Sequence, residues 1–360
     1  MRERYRILLR TVPFIAIGLF LFGVYLVLFV DIPEMIRVIQ QANMLVYSSA
    51  ASVLILETLL FALSWQYLLL PLSVNVSLKR TFLYVLIGTF ADLLIPAESV
   101  SGEITKAYLM SKERDVNPGK VIASLVSQRM LGTFITTTSL FLGFLALLAL
   151  NYAISGLMLQ ILLIITIASG FAFAFLLAVC FKEKWTERLV KTLMRVLEYV
   201  SRGRFKLERF QSKAIEALRA FYDSLRTFGA KPRTLVPPIL FYILAWLSSV
   251  AIIFLVFVSI GYVEPDIPTL LFKVVIVHVL LGAVKSIPIG VPAEVGIPDI
   301  FMTMAFILFG IPPDISAAAT VLTRVLTVWL KFLIGFAAVQ WLGVKSLMES
   351  GIFGQTKNEV

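Results

Sequence analysis

The stretch KSIPIGVPAEVGIPDIFMTMAF, residues 285–306, decides the fold, because it places charged residues and prolines among long apolar runs. The stretch LLIPAESVSGEITKAYLM, residues 93–110, has the same character earlier in the chain. Proline ends a helix, and a charged side chain at the centre of a membrane span costs about 2.5–3.5 kcal/mol. Both stretches therefore predict interrupted, polar segments inside an otherwise apolar protein.

The composition is typical of a polytopic membrane protein. Of the 360 residues, 59% are hydrophobic and only 15% are charged, and the mean hydropathy is +0.93. An average soluble domain is about half apolar and about a quarter charged. Apolar runs long enough to cross the bilayer as helices recur along the whole chain. We therefore interpret residues 1–360 as a single polytopic membrane domain.

Six apolar runs predict full transmembrane helices, and two segments are too short to cross. The predicted spans lie near residues 11–30, 44–70, 121–150, 157–181, 235–260 and 316–344. Residues 81–95 reach only about 22 Å as a helix before Pro96 ends it. The uncharged part of residues 269–287, between Lys273 and Lys285, is shorter still. Each short segment, with the charged stretch that follows it, predicts a re-entrant helical hairpin.

The distribution of Lys and Arg predicts the orientation, because basic loops stay in the cytoplasm. The N terminus and the loops at residues 77–80 and 111–120 are basic, whereas residues 261–268 and 310–316 contain no Lys or Arg. We therefore expect a multi-pass protein of the cell membrane with both termini in the cytoplasm. The first hairpin then enters from the cytoplasm and the second from the opposite side.

One segment carries most of the net charge of +10. Residues 182–233 contain 14 Lys or Arg against 6 Asp or Glu, in an amphipathic pattern between two predicted spans. Such a segment favours contact with anionic lipid headgroups over nucleic acid. We therefore expect membrane lipids as partners and no nucleic acid.

The two charged stretches resemble each other. PAESVSGEI begins at Pro96 and PAEVGIPDI at Pro292, an offset of 196, and both read Pro-Ala-Glu, four residues, an acid and Ile. Arg129 and Arg324 follow at an offset of 195. With the opposite orientations, this pattern indicates an inverted-topology repeat, the arrangement in which many transporters form a site at the bilayer midplane. The predicted repeats are residues 44–150 and 235–344. The predicted fold is all-α, with six transmembrane helices and two re-entrant hairpins.

The charged residues near the hairpins are candidates for substrate binding or translocation. Non-helical backbone at membrane depth persists only inside protein or along a watery cavity, so the hairpin apices should line a cavity. Pairing Glu103 with Arg129, and Asp299 with Arg324, would neutralise the charges within each pair. Exposed helix N termini and Arg side chains favour an anionic headgroup, whereas a purely structural ion pair is the alternative. The candidates are Glu98, Glu103, Lys106, Arg129, Lys285, Glu294, Asp299 and Arg324.

Four further polar residues have less specific roles. Glu57 could carry protons or pair with a basic neighbour, and Asp92 could cap the hairpin backbone. Gln128 can hydrogen-bond across helices, and His278 favours an interhelical hydrogen bond over a ligand role. The five tryptophans lie mainly near predicted span ends, as in an interfacial belt.

The sequence predicts no enzyme, no cofactor and no metal site. One histidine cannot form the usual zinc site. A nucleotide-binding phosphate loop and a Gly-x-Ser-x-Gly nucleophile motif are both missing from the sequence.

Two pairs of motifs stand out: PAESVSGEITKAYLM followed by SQRMLGTF, and IPIGVPAEVGIPDIFMTMAFILFGI followed by ATVLTRVLTVWLKFLIG. They resemble the flippase-like membrane domain of the lysylphosphatidylglycerol synthase family, and are most similar to its archaeal stand-alone branch. The resemblance implies movement of charged or glycosylated lipids between leaflets. It also adds Gly102, Pro292 and Gly296 to the candidate site residues.

The sequence departs from the family pattern at three places. Lys106 occupies a position where the family usually has Arg. Gln128 and Arg129 occupy positions where it has Glu-Arg, and Asp299 occupies one where it has Glu. Lysine keeps the charge but loses the bidentate grip of Arg, so headgroup specificity does not carry over. The aminoacyl-transferase domain of the synthases does not follow in this sequence, and we expect no lipid aminoacylation by the chain alone.

The predicted function is a membrane lipid translocase that moves an anionic or glycosylated lipid through a midplane polar cavity. The first alternative is a membrane accessory or scaffold protein whose buried ion pairs are structural. An embedded transferase is a further alternative, less favoured because metal-ligand clusters are scarce. The sequence leaves open whether the partner is a second copy of the chain or a lipid-modifying enzyme.

Overall fold

The computed structural model describes residues 23–24, 26–28, 30–94, 100–113, 116–149, 156–188, 192, 208–262, 267–285 and 296–349. Every regular element in those ranges is helical. The α-helices that position the site are α1 (Ile32–Gln40), α2 (Met44–Leu69), α3 (Leu78–Leu94), α4 (Val100–Ser111), α5 (Pro118–Ala149), α6 (Gly156–Phe181), α7 (Glu208–Ala230), α8 (Val236–Ser259), α9 (Ile267–Lys285), α10 (Ile297–Leu308), α11 (Pro313–Arg324) and α12 (Lys331–Glu349). A π-helical segment, Val325–Leu330, joins α11 to α12.

The helices are those of a multi-pass integral membrane protein. Three of them, within the ranges above, are both long and apolar enough to cross a membrane: Met44–Leu72, Pro232–Ser259 and Pro313–Gly343. Helices α5 and α6, of 32 and 26 residues, occupy two more of the predicted spans. The predicted span at residues 11–30 lies largely outside the described residues.

Local sequence signals fix where the helices begin. The side chain of Asn43 accepts hydrogen bonds from the backbone N–H groups of Leu45 and Val46 at the start of α2. Asp31 caps α1 in the same way through the N–H of Glu34. Side-chain oxygens at this position satisfy N–H groups that have no partner within the helix. Helices α8 and α11 each have proline in the first turn, where its missing N–H costs nothing.

Each charged stretch connects two short helices. Helices α3 and α4 pack along each other, and so do α9 and α10. The two connections, residues 95–99 and 286–295, lie outside the described residues, and with them the candidates Glu98, Pro292 and Glu294. The side chain of Lys285 lies outside them as well. The re-entrant course of both hairpins stays a prediction.

The two predicted halves pack against each other in a reciprocal pattern. The first helices of the halves, α2 and α8, make the most extensive contact in the described part of the chain. Helix α5, at the end of the first half, packs against α9 of the second. Helix α12, at the end of the second half, packs against α3 of the first. Each half therefore covers one arm of the other half's hairpin.

The basic segment packs against protein through its apolar face. Helix α7 lies along α5, and its residues Phe221, Tyr222 and Phe228 are buried in the same cluster as Trp65. The arginines Arg219 and Arg226 stay exposed. The amphipathic pattern is therefore satisfied by a protein surface, and contact of the polar face with lipid headgroups stays a prediction.

The contact between α12 and α3 depends on a glycine, and substitution tests it. A Cβ on Gly335 would lie 2.7 Å from Phe90 Cβ and 2.9 Å from the carbonyl oxygen of Leu86. We expect Gly335→Ala to lower the free energy of unfolding by about 1–3 kcal/mol, because overpacking forces the helices apart. Gly343→Ala on the same helix meets nothing within 4 Å and should stabilise it by up to about 1 kcal/mol. Equal unfolding curves for the two variants in detergent would contradict the close contact.

Candidate functional site

A polar cavity of about 160 Å³ lies beside the first hairpin. Helices α3, α4 and α5 supply its charged groups, and α2 and α8 supply aromatic rings. The residues that line it are Phe61, Val85, Thr89, Asp92, Glu103, Lys106, Leu125, Gln128, Arg129 and Tyr242. The structure thus brings together the candidates Glu103, Lys106 and Arg129 with the less specific candidates Asp92 and Gln128.

Asp92 caps the second arm of the first hairpin, as predicted. Its Oδ1 accepts hydrogen bonds from Ser101 Oγ at 2.8 Å and from the backbone N–H of Gly102 at 2.6 Å. A Cβ on Gly102 would lie 2.1 Å from Asp92 Oδ2 and 2.6 Å from the carbonyl oxygen of Gly88. Glycine at position 102 therefore allows α3 and α4 to approach closely at the charged end of the hairpin.

Lys106 lies beneath two aromatic rings. The residue is only 8% exposed, and its Nζ lies 5.4 Å from the ring centroid of Phe61 and 5.6 Å from that of Trp65. A cation over an aromatic face is attracted by the negative face of the ring. The rings therefore help to hold an ammonium group away from bulk water.

The prediction of an interfacial role is wrong for Trp65. Its side chain is fully buried, and its indole N–H donates a hydrogen bond to Ser124 Oγ at 2.9 Å. Sequence reasoning therefore missed Phe61 and Trp65 as site residues. A signal was present, because Glu57, Phe61 and Trp65 recur every four residues on one face of α2.

Glu103 and Arg129 form a loose pair at the cavity. Glu103 Oε1 and Arg129 Nη1 are 3.8 Å apart, and the side chains are 35% and 45% exposed. The predicted pairing is confirmed, but the distance is longer than that of a charge-assisted hydrogen bond. Beside the pair, Gln128 Nε2 donates to the carbonyl oxygen of Phe61 at 3.0 Å, which confirms the predicted hydrogen bond across helices.

Asp299 and Arg324 form a tight, buried pair at the second hairpin. Asp299 Oδ1 lies 2.6 Å from Arg324 Nε, and the side chains are 5% and 6% exposed. Asp299 Oδ2 also accepts a hydrogen bond from the backbone N–H of Gly296 at 2.6 Å. Gly296 has a φ of 99°, a conformation that favours glycine. The predicted pair is confirmed, and its carboxylate also caps the N terminus of α10.

A third charged pair connects α2 to α12. Glu57 Oε2 lies 2.9 Å from Lys331 Nζ, and Ser249 of α8 donates a hydrogen bond to Glu57 Oε1 at 3.2 Å. Of the two predicted roles for Glu57, pairing with a basic neighbour is confirmed. Sequence reasoning missed Lys331, which lies apart from the two charged stretches.

Tyr242 of α8 also lines the cavity, together with Arg129 and Glu103. A Cβ on Gly132 would lie 2.2 Å from its hydroxyl oxygen, so α8 and α5 are in close contact there. The sequence gives no signal for Tyr242, because it lies in an uninterrupted apolar run.

His278 is not among the residues that line the cavity. The imidazole of His278 packs edge-on against Trp246, with ring centroids 6.0 Å apart. Among the described residues, no group of three or more His, Cys, Asp or Glu side chains could hold a metal ion. The polar side chains that line the cavity carry two carboxylates, two cationic groups, one amide and two hydroxyls.

Comparisons with known proteins give relatives along most of the chain. A UPF0104 membrane protein of Methanocaldococcus jannaschii is 24% identical over 89% of this chain and 91% of its own length. A UPF0104 membrane protein of Methanothermobacter thermautotrophicus is 27% identical over 79% of this chain and 81% of its own. A UPF0104 membrane protein of Pyrococcus horikoshii is 22% identical over 88% of this chain and 94% of its own length.

No solved structure matches the chain. Residues 15–335 match the family described as the lysylphosphatidylglycerol synthase TM region. The match includes both charged stretches and the helices that follow them. The protein therefore belongs to the family of the lysylphosphatidylglycerol synthase transmembrane region.

Proposed function

We propose that the protein moves an anionic or glycosylated lipid between leaflets, with the headgroup passing through the polar cavity and the tails remaining in the bilayer. The observation that carries the proposal is the difference between the two charged pairs. Glu103 and Arg129 are 3.8 Å apart, partly exposed, and border a cavity. Asp299 and Arg324 are 2.6 Å apart and buried. Among the described residues, the pair of the first half could therefore meet a charged ligand, whereas the pair of the second half is buried.

The reciprocal packing of the halves supports this proposal. In an inverted repeat, each element of one half has a counterpart in the other, related by an axis in the membrane plane. The contact of α5 with α9 and that of α12 with α3 are contacts that such a repeat would produce as counterparts. Alternating access would then exchange the partly exposed state of the first pair with the buried state of the second.

The chemistry of the cavity suits a phosphate-bearing headgroup. Arg129 offers a planar fork that binds phosphate through two hydrogen bonds, and Lys106 offers a point charge. Asp92 and Glu103 offset these two cations in the absence of an anion. An arriving headgroup would take the place of Glu103 beside Arg129, which costs little because that pair is loose and partly exposed.

The scaffold alternative has one observation in its favour. A buried, doubly bonded carboxylate such as Asp299 is also what a purely structural ion pair would show. The alternative assigns the same structural role to Glu103 and Arg129. The two functions therefore differ in what happens when Arg129 loses its charge.

A leaflet-exposure assay tests the proposal. The protein is reconstituted into liposomes with an acyl-labelled anionic lipid, and a membrane-impermeant quencher measures the transfer of label between leaflets. We expect Arg129→Gln to slow transfer about 10- to 100-fold, because a charge-assisted hydrogen bond to the headgroup is lost. Arg219→Gln, an exposed arginine outside the cavity, is the matched control and should transfer lipid at the wild-type rate.

Two results would decide against translocation. If the wild-type protein transfers lipid no faster than protein-free liposomes do, the proposed translocation is contradicted. Equal transfer by the wild type and Arg129→Gln, with a lower melting temperature for the variant, would favour the scaffold alternative.

A further inference from the structure

A second, larger cavity lies at the opposite end of the first hairpin from the charged site. It has a volume of about 850 Å³, within the range of roughly 300–1,000 Å³ that is usual for ligand pockets. We call it the basal groove. It is lined by Lys79, Arg80, Phe82, Leu83, Tyr84, Leu86, Lys112, Glu113, Ile334, Ala337, Ala338, Trp341 and Leu342.

The cationic groups of the basal groove lie together. Lys79 and Arg80 are in the first turn of α3, and Lys112 directly follows α4. Glu113, the acidic residue of the lining, is bound by the guanidinium of Arg80 and by the hydroxyl of Tyr84. Its charge is therefore offset within the protein, and the exposed lysines give this end of the groove a positive potential.

The other wall of the basal groove is apolar. Ile334, Ala338, Trp341 and Leu342 recur at helical spacing on one face of α12. Trp341 is 70% exposed. Tryptophan is enriched at the level of lipid headgroups, where its ring contacts both acyl chains and water. An exposed Trp beside lysines is therefore typical of the bilayer interface.

We propose that the basal groove binds an anionic phospholipid, with its phosphate at Lys79 and Lys112 and an acyl chain along α12. Charge complementarity supports this occupant, because basic pockets between membrane helices bind anionic headgroups. The combination of a cationic end and a long apolar wall also fits one lipid better than a free anion. The groove shares no lining residue with the polar cavity, so this lipid is bound separately from the one that would be translocated.

Fluorescence quenching by brominated lipids tests the proposal. The full chain is placed in phosphatidylcholine nanodiscs that contain either brominated phosphatidylglycerol or brominated phosphatidylcholine at equal fractions. The difference between the wild type and Trp341→Phe isolates the signal of Trp341. We expect brominated phosphatidylglycerol to quench Trp341 more strongly than brominated phosphatidylcholine does. In a Lys79→Gln/Lys112→Gln variant, this preference for the anionic lipid should fall about fivefold for each lysine removed.

A matched variant separates specific binding from general surface charge. Lys182→Gln/Lys231→Gln removes two exposed lysines that do not line the basal groove. It should keep the preference of Trp341 for the anionic lipid. Equal quenching by both lipids in the wild type would overturn the proposal. An equal loss of preference in the two double variants would overturn it as well.

Discussion

Replacing Asp299 with asparagine is expected to lower the free energy of unfolding by about 3–5 kcal/mol, the usual cost of removing one partner of a buried ion pair. The substitution keeps the shape of the side chain but leaves the guanidinium of Arg324 without its carboxylate, at a position only 6% exposed. It also weakens the cap on the N terminus of α10, because the amide is a poorer acceptor for the N–H of Gly296. Equilibrium unfolding in detergent micelles measures the change.

Two further variants make this result specific. Glu34→Gln breaks an exposed ion pair in which Glu34 Oε2 lies 3.7 Å from Arg37 Nη1. It should lower the free energy of unfolding by less than about 1 kcal/mol. The double variant Asp299→Asn/Arg324→Gln removes both buried charges and should recover part of the loss. An Asp299→Asn variant as stable as Glu34→Gln would mean that the buried pair contributes nothing.

Replacing Lys106 with methionine is expected to reduce transport strongly and to leave stability nearly unchanged. Lipid transfer should fall about 10- to 100-fold, because a cation that faces the headgroup is lost. Stability should change by less than about 1 kcal/mol, because the relief of a nearly buried ammonium group offsets its lost attraction to Asp92 and Glu103. Methionine sulfur also makes favourable contacts with aromatic rings such as Phe61 and Trp65.

The leaflet-exposure assay and thermal unfolding of the same preparation measure both effects of Lys106→Met. Lys182→Met, at an exposed lysine away from the cavity, should leave both at the wild-type level. Wild-type transfer together with a lower melting temperature would show that Lys106 acts as a structural element. That outcome would favour the scaffold alternative over the translocase.

The charged residues of the site could be predicted from sequence because charge is conspicuous in an apolar chain. The pairing of Asp299 with Arg324, and the cap formed by Asp92, followed from the cost of leaving such groups without a partner in lipid. The pairing of Glu103 with Arg129 followed in the same way. The difference between the two pairs could not be predicted, because nearly identical motifs give no signal for distance or exposure.

The aromatic part of the site was harder to predict. Phe61, Trp65 and Tyr242 are apolar or amphipathic residues in apolar helices, where any face can contact lipid or protein. Only the packing of α2 against α8 and α5 decides which face is inside. The contact of α7 with α5 was missed for the same reason, since an amphipathic helix can cover either a membrane surface or a protein surface.

The π-helical segment Val325–Leu330 sets the angle around the helix axis between Arg324 and Lys331, the two cations that flank it. Arg324 binds Asp299 on α10, whereas Lys331 binds Glu57 on α2. A residue added to or removed from an α-helix turns everything beyond it by about 100°. The wider π-helical turn therefore changes the direction in which Lys331 points relative to Arg324. In this way one continuous helix contacts both predicted halves. The two ion pairs therefore tie α10 and α2 to the same continuous helix, seven positions apart along the chain.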